Sequence, residues 1–444
     1  MKRIVAAIAL AAALPLSAQA ENLLQVYRDA RAYDAQYAAA RYALQAGQEK
    51  LPQGKALLLP NIGLSANVTD TRVNSDSKDS VLAPNLNYDR TIRSDGYTLN
   101  LSQPIYRKQN FLQYDEAGFQ VKQAEAAFGQ AAQDLIVRTA QAYFDVLAAQ
   151  DTLTLVGAQK AAISEQLAQA KRNFEVGTAT ITDTREAQAR YDLIIAQEIA
   201  AKNDLANKKS ALRQLTGKEY SDLAPLRKNV ELSPPNPNNA ESWVDLAEKQ
   251  SYPVRIQQAT TEIASLEMKR NAAGHYPTLD LVASYGQTDQ TASQLSPIGN
   301  NVTTSSIGLQ LAVPLYQGGA ISSREREAAA NYEQAKQNLE NAKRSAALAA
   351  RQAYLGVVNG VAQVSALQQA LVSSQSALES NKLGYEVGVR INIDVLNAQQ
   401  QLYSTERDLA LARYNTITTQ LKLKAAAGSL GEADLEQVNL ALQP

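Results

Sequence analysis

The sequence has no cysteine among its 444 residues. That excludes a disulfide framework, a thiolate metal site and a cysteine-borne lipid anchor. Histidine occurs once, at His275, and tryptophan once, at Trp243. One imidazole cannot build a multi-histidine metal centre. No acidic pair stands out from the helix surfaces, so no metal, cofactor or enzymatic activity is expected. Neither sign of charge dominates, with 43 Lys and Arg against 44 Asp and Glu. This balance gives no reason to expect nucleic acid as a partner. Beyond residue 20 no stretch approaches eighteen consecutive apolar residues, so no transmembrane helix is expected in the mature chain. A membrane role would have to come from β-strands.

What is present begins with an export signal. Lys2 and Arg3 precede an apolar run from Ile4 to Leu16, and Ala18-Gln19-Ala20 fits a small-residue cleavage site. Residues 1–20 therefore read as a signal peptide cut before Glu21. The period of the mature chain then changes several times. Residues 22–58 read as helix. Ile62, Leu64, Ala66 and Val68 alternate with polar residues as a strand, and 70–95 reads as a polar loop. Alternation returns at Tyr97, Leu99 and Leu101 and stops at Pro104. Residues 107–171 form one helical pattern whose apolar positions recur at three and four steps, slipping once at Thr139, as in a coiled coil with a stutter. A glycine turn at Gly177 leads to a returning helix over 181–215, with Gly217 beyond its end.

The programme then repeats. Pro60 matches Pro277, Pro104 matches Pro314, Tyr106 matches Tyr316, Tyr143 matches Tyr354, Gly177 matches Gly388, Asp183 matches Asp394 and Gly217 matches Gly428. The expected organisation is a first repeat at 21–217, a proline-rich linker at 218–241, a second repeat at 242–428 and a tail at 429–444. In the second repeat a helix over 242–273 is bent or broken at Pro253. Strands follow around Leu279, Leu281, Ala283 and Tyr285 and around Ile307, Leu309, Leu311 and Val313, with a polar loop at 287–304. Long helices are expected over 321–383 and 391–427.

Each repeat thus carries one hairpin of amphipathic strands, long enough to cross an outer membrane. Four strands cannot close a barrel, and open edges are not tolerated in lipid, so membrane-embedded hairpins would have to be pooled between chains. Two chains would give eight strands and three would give twelve. A soluble sheet packed on the helices shows the same alternation. The signal peptide, the polar loops on one side of the hairpins and the prolines on the other favour the membrane.

The resemblance that follows rests on Glu21-Asn22-Leu23-Leu24-Gln25-Val26-Tyr27, Leu59-Pro60-Asn61-Ile62-Gly63-Leu64, Gly274-His275-Tyr276-Pro277-Thr278-Leu279-Asp280-Leu281, Pro314-Leu315-Tyr316-Gln317-Gly318-Gly319 and the stretch from Tyr385 to Ala398. Across essentially the whole mature chain the sequence resembles the TolC family of outer-membrane channels, the exit ducts of drug-efflux pumps and type I secretion systems. The resemblance implies an α+β membrane protein acting as a homotrimer. Its twelve-stranded β-barrel, four strands per chain, would continue into a long periplasmic α-helical barrel. The linker and tail would belt the middle. The turns Val176-Gly177-Thr178 and Val387-Gly388-Val389 would meet a periplasmic adaptor that joins an inner-membrane pump. A periplasmic coiled-coil adaptor or scaffold is the competing reading, though it would need neither the strands nor the double repeat.

Comparison of the repeats singles out the second turn. Tyr385 stands where the first copy has Phe174, Arg390 where it has Ala179, and Asn397 where it has Glu186. By resemblance, Tyr385 and Arg390 bond to neighbouring helices at Thr182 and Asp183 and hold the entrance shut. Asp183 and Asp394 could equally cap the helices that begin near them. In a trimer Asp394 would form a ring of carboxylates favouring cations. The family carries a second aspartate where this chain has Asn397, so a weaker ring is expected. Tyr97, Tyr106, Tyr285 and Tyr316 are read as lying near strand ends, where interfacial aromatics belong.

Overall fold

A computed structural model describes residues 21–75, 88–227, 229–291 and 298–443; the expected signal peptide lies outside them. Two compact units are present. One draws on the N-terminal segment to Ala43, on Ala126–Arg255 and on the chain from Glu340; the other comprises Leu44–Glu125 and Ile256–Leu339. Each takes segments from both sequence repeats.

The first repeat opens with α1 (Leu23–Tyr33), α2 (Ala35–Gln48) and α3 (Lys50–Ala56). A single helix was expected here, and the break at Asp34 has a specific cause. Asp34 leaves the helical conformation, and its carboxylate accepts from the Tyr37 N–H at 2.6 Å, starting α2. It also receives both Arg138 guanidinium nitrogens, at 3.0 and 3.1 Å. Burial pushes the Asp34 carboxyl up, but the bonds from Arg138 and the Tyr37 amide outweigh it and hold the group below the usual carboxylate range. A lowered folded pKa contributes stability that is present above the unfolded value, about 3.9, and is lost as pH falls through the folded one. Asp34→Asn is expected to flatten the acid-side fall of the melting temperature, followed by circular dichroism. An unchanged acid limb would refute the assignment.

The hairpin β1 (Asn61–Ser75) and β2 (Tyr88–Tyr106) precedes α4 (Lys108–Glu175), a helix of 68 residues, and α5 (Ile181–Thr216). After the linker come α6 (Ala240–Gln250) and α7 (Tyr252–Ala272). The chain breaks at Ser251, which is extended, so that Pro253 falls in the first turn of α7, where its missing N–H costs nothing. The strands β3 (Thr278–Gln290) and β4 (Asn300–Ala312) lead to α8 (Ala320–Glu386), α9 (Asn392–Ala426) and a short α10 (Glu432–Leu440). By length and mean hydropathy α8 would qualify as a membrane span. At 67 residues it far exceeds the roughly 20 that a bilayer needs.

The four strands form one antiparallel sheet in the order β1-β2-β3-β4. The register aligns Ile62, Leu101, Ala283 and Ile307 across one face, followed by Leu64, Leu99, Tyr285 and Ser305. The opposite face carries rows such as Gly63, Asn100, Ser284 and Ser306. One face is apolar and the other mostly small and polar, as a strand between lipid and a wet lumen requires.

The strands are longer than the alternation indicated. Residues 70–75, 88–95, 287–290 and 300–304, read as loop, are paired. Beyond the apolar rows both faces are mostly polar, with Val73, Ile92 and Val302 isolated among polar residues, so the period-two signal fades while the backbone ladder continues; Arg72 and Asp89 form an ion pair there. Tyr97 and Tyr285 consequently lie inside their strands, whereas Tyr106 ends β2 and Tyr316 follows β4. Pro104 is also inside β2, at a register shift between Pro104 and Tyr106, a place in a sheet where a residue without an N–H is tolerated.

In the first unit the core gathers Leu23 and Val26 of α1, Leu135, Tyr143 and Phe144 of α4, Leu212 of α5, Tyr414 and Leu421 of α9 and Leu435 of α10. The buried Tyr143 hydroxyl donates to the carbonyl of Ala224 at 2.7 Å, and the Glu21 carbonyl is 3.2 Å away, tying the linker and the N-terminal segment to α4. Gly129 lets the Tyr252 ring lie directly against α4, where a Cβ would collide with it.

Candidate functional site

The two helical turns share one backbone design and differ in what their side chains do. At the first, α4 ends at Glu175 and Gly177 takes a φ of 77°, which favours glycine. The amides of Thr178 and Ala179 donate to the Asn173 carbonyl at 2.8 and 3.2 Å. At the second, Gly388 has φ 80°, and the amides of Val389 and Arg390 donate to the Gly384 carbonyl at 2.9 and 3.0 Å. Val176 and Val389 are 72% and 76% exposed, and Val387 is also exposed. These apolar side chains project outward from the turns.

The next residues divide the repeats. Thr180 caps α5 in a reciprocal box: its hydroxyl accepts from the Asp183 amide at 3.3 Å, and Asp183 Oδ2 accepts from the Thr180 amide at 2.9 Å. The Thr180 counterpart is Ile391, which has no side-chain oxygen, and no side chain caps α9. Asp394 is thereby freed from the capping duty of Asp183. It lies 3.8 Å from the Arg390 guanidinium, one turn back.

Asn173 and Gly384 are also counterparts, and each serves the second turn. The Asn173 amide donates to the Tyr385 hydroxyl at 3.1 Å. The Arg390 stem lies against Gly384, in space that a Cβ would occupy. Asn397 is engaged from α5: Arg190 donates to Asn397 Oδ1 at 3.0 Å and to Gln400 Oε1 at 2.6 Å. Beneath these contacts Ile163, Leu167 and Ala170 of α4, Ala187 and Ile194 of α5 and Leu396 of α9 form a small core.

The chain thus brings Tyr385 to Asn173, Arg390 to Asp394, and Asn397 to Arg190. Among its described residues no bond joins Tyr385 or Arg390 to Thr182 or Asp183. Thr182 is exposed, and Asp183 is half-buried on its cap. Asn173, Gly384 and Arg190 escaped the sequence reading. A position-by-position comparison of the repeats would have found the first two, since asparagine facing glycine is an abrupt change. No group of three or more metal-binding side chains occurs among the described residues.

Comparison with known proteins accords with this geometry. The sequence profile of the outer membrane efflux protein family matches residues 26–218 and again 243–429. The outer membrane protein TolC of Vibrio cholerae is 34% identical over 428 residues, 96% of this chain and 94% of that protein. The proteases secretion protein PrtF of Dickeya chrysanthemi is 33% identical, over 95% of this chain and 91% of that one. Among solved structures the CmeC outer membrane channel of Campylobacter jejuni superposes with a TM-score of 0.78, covering 95% of this chain and 90% of that one. At 18% identity that likeness shows the fold alone.

Proposed function

This chain belongs to the outer membrane efflux protein family, and on that premise we propose that three copies close a twelve-stranded barrel above a gated helical entrance. It is an outer-membrane channel of the efflux and type I secretion kind. The adaptor alternative is set aside, because relatives matching nearly the whole chain are outer-membrane proteins. In this reading the repeats at 21–217 and 242–428 each contribute a hairpin and a periplasmic turn. Val176, Gly177, Thr178, Val387, Gly388 and Val389 form the contact surface for a periplasmic adaptor, which couples the duct to an inner-membrane pump. The chain performs no chemistry, and transport is driven by the pump.

The observation that carries the reading is the four-stranded sheet, apolar on one face, polar on the other and open at both edges. Tyr385 and Arg390 act in gating with Thr182 and Asp183 of adjoining helices, and Asp394 supplies the selectivity ring. Asn397, bonded to Arg190, contributes no charge to that ring. Deleting the gene should raise intracellular accumulation of a fluorescent pump substrate or retain a type I cargo in the cell. A plasmid copy should reverse the defect. Export unchanged for both cargo classes would overturn the proposal.

A further inference from the structure

The return helices α5 and α9 carry a cavity at the same place in each repeat. Ala206, Lys209, Ser210, Leu212 and Arg213 line the first, of about 300 Å³. Their repeat counterparts Ile417, Gln420, Leu421, Leu423 and Lys424 line the second, of about 330 Å³. The two copies have diverged in character. Ile417 and Leu421 stand where the first has Ala206 and Ser210, and Leu232, Pro235, Val438 and the Trp243 ring complete an apolar wall. Their charges have diverged as well. In the first cavity Arg213 pairs with Glu219, while Lys209, bonded to the Ser221 carbonyl at 3.3 Å, is left as an unneutralised cation. Gln420 replaces that lysine in the second and donates to the Ser233 carbonyl at 3.1 Å. There Lys424 pairs with Asp434 at 2.5 Å. Glu231, exposed at the rim, is then the one lining charge without a partner among the described residues. Trp243 commits its N–H to the Pro237 carbonyl at 2.8 Å, so only its ring is left to meet a ligand.

We propose that the cavity of the second repeat binds a lipophilic organic cation. Its size and its mostly apolar lining with a few polar groups are those of a small-molecule site. The wall takes an aromatic or hydrocarbon body, and the free Glu231 carboxylate selects positive charge. An indole is also the aromatic ring that holds a cation best. An anion of equal size would meet Glu231 with the Lys424 ammonium already committed to Asp434. A neutral molecule would gain the wall alone. The first cavity, with Lys209 uncompensated and less apolar surface, has the opposite balance. A ligand in the second would touch the linker, α6, α9 and α10 together. The site uses neither the turns nor the strands, so it does not depend on the roles proposed for them.

Trp243 is the only tryptophan in the sequence, so its emission reports on this cavity. The purified protein, held in phosphatidylcholine nanodiscs with a tryptophan-free scaffold, should show a saturable emission change with benzyltriethylammonium. Benzyl alcohol, the neutral probe, should need several-fold higher concentrations, and benzenesulfonate, the anionic one, higher still. Glu231→Gln should weaken the cation by about twofold to fivefold, the range open to an exposed ion pair, and leave benzyl alcohol unchanged. Val438→Phe, which fills the cavity, should abolish the response while circular dichroism shows the fold retained. Glu231→Gln alters an exposed side chain and serves as the test should the filled variant fail to fold. Equal affinities for the three probes, or a cation affinity indifferent to Glu231→Gln, would overturn the charge preference. A response that survives Val438→Phe would place binding elsewhere and overturn the site. No saturable response to any probe would do the same, as it would if a neighbouring copy filled the cavity.

Discussion

Channels carrying Tyr385→Phe together with Arg390→Ser are expected to conduct several-fold more current in planar bilayers than the unmodified protein. The first change removes the hydroxyl that receives the Asn173 amide at 3.1 Å, releasing the end of α8 from the end of α4. The second removes a guanidinium that its own chain holds only loosely. Its 3.8 Å approach to Asp394 within one helical turn contributes about 0.3–0.5 kcal/mol. Most of its donors remain available to a neighbouring copy. Asp183 spends Oδ2 on Thr180 and keeps Oδ1 for such a donor.

A hydrogen bond to a charged group contributes roughly 1.5–3 kcal/mol, and a trimer that paired each Arg390 with a neighbouring Asp183 would make three of them. Moving a two-state gate from almost wholly shut to almost wholly open takes about 5.5 kcal/mol. Three such bonds would thus be of the magnitude needed to hold the entrance. Asn173→Ala should reproduce the effect of Tyr385→Phe without adding to it, because both break one bond. Conductance unchanged in the double variant would remove these residues from the gate.

The largest effect on stability is expected at the junction of sheet and helix. Arg107→Ala should destabilise the protein by about 3–5 kcal/mol, and Asp280→Ala by less. The difference comes from exposure. The Asp280 side chain is 9% exposed and the Arg107 side chain 43%, so losing the arginine strands a buried carboxylate. Losing the aspartate leaves a guanidinium that can still reach water. Arg107→Leu with Asp280→Leu should recover much of the loss, since replacing both members of a buried pair by apolar side chains is often neutral. The temperature at which the folded protein loses its compact mobility in denaturing gels measures all four proteins. Equal losses for the two single variants would contradict the burial argument.

Much of this architecture was legible in the sequence because its signals are periodic and duplicated. Proline marked three of the four passages between strand and helix, at Pro60, Pro277 and Pro314, while Pro104 proved to lie inside β2, and Gly177 and Gly388 marked the turns. The features that stayed hidden depend on partners distant in sequence. Asp34 on its own is a faint cap signal, and the Arg138 guanidinium that helps hold its carboxylate lies 104 residues away. Strand ends went unread where both faces are polar, since pairing by the backbone leaves no trace in side-chain pattern. Aspartate stands at both 183 and 394, and the structure shows that Thr180 engages the first in a cap while Ile391 leaves the second without that duty.

That difference in capping bears on the symmetry of opening. A closed ring would place six turns around its axis, three starting a helix with a reciprocal side-chain lock and three starting one without. The locked starts would act as posts, because melting their first turn would break two bonds at once. The unlocked starts would act as leaves. The aperture should therefore widen with threefold rather than sixfold symmetry, passing through a triangular outline while alternate turns keep their places.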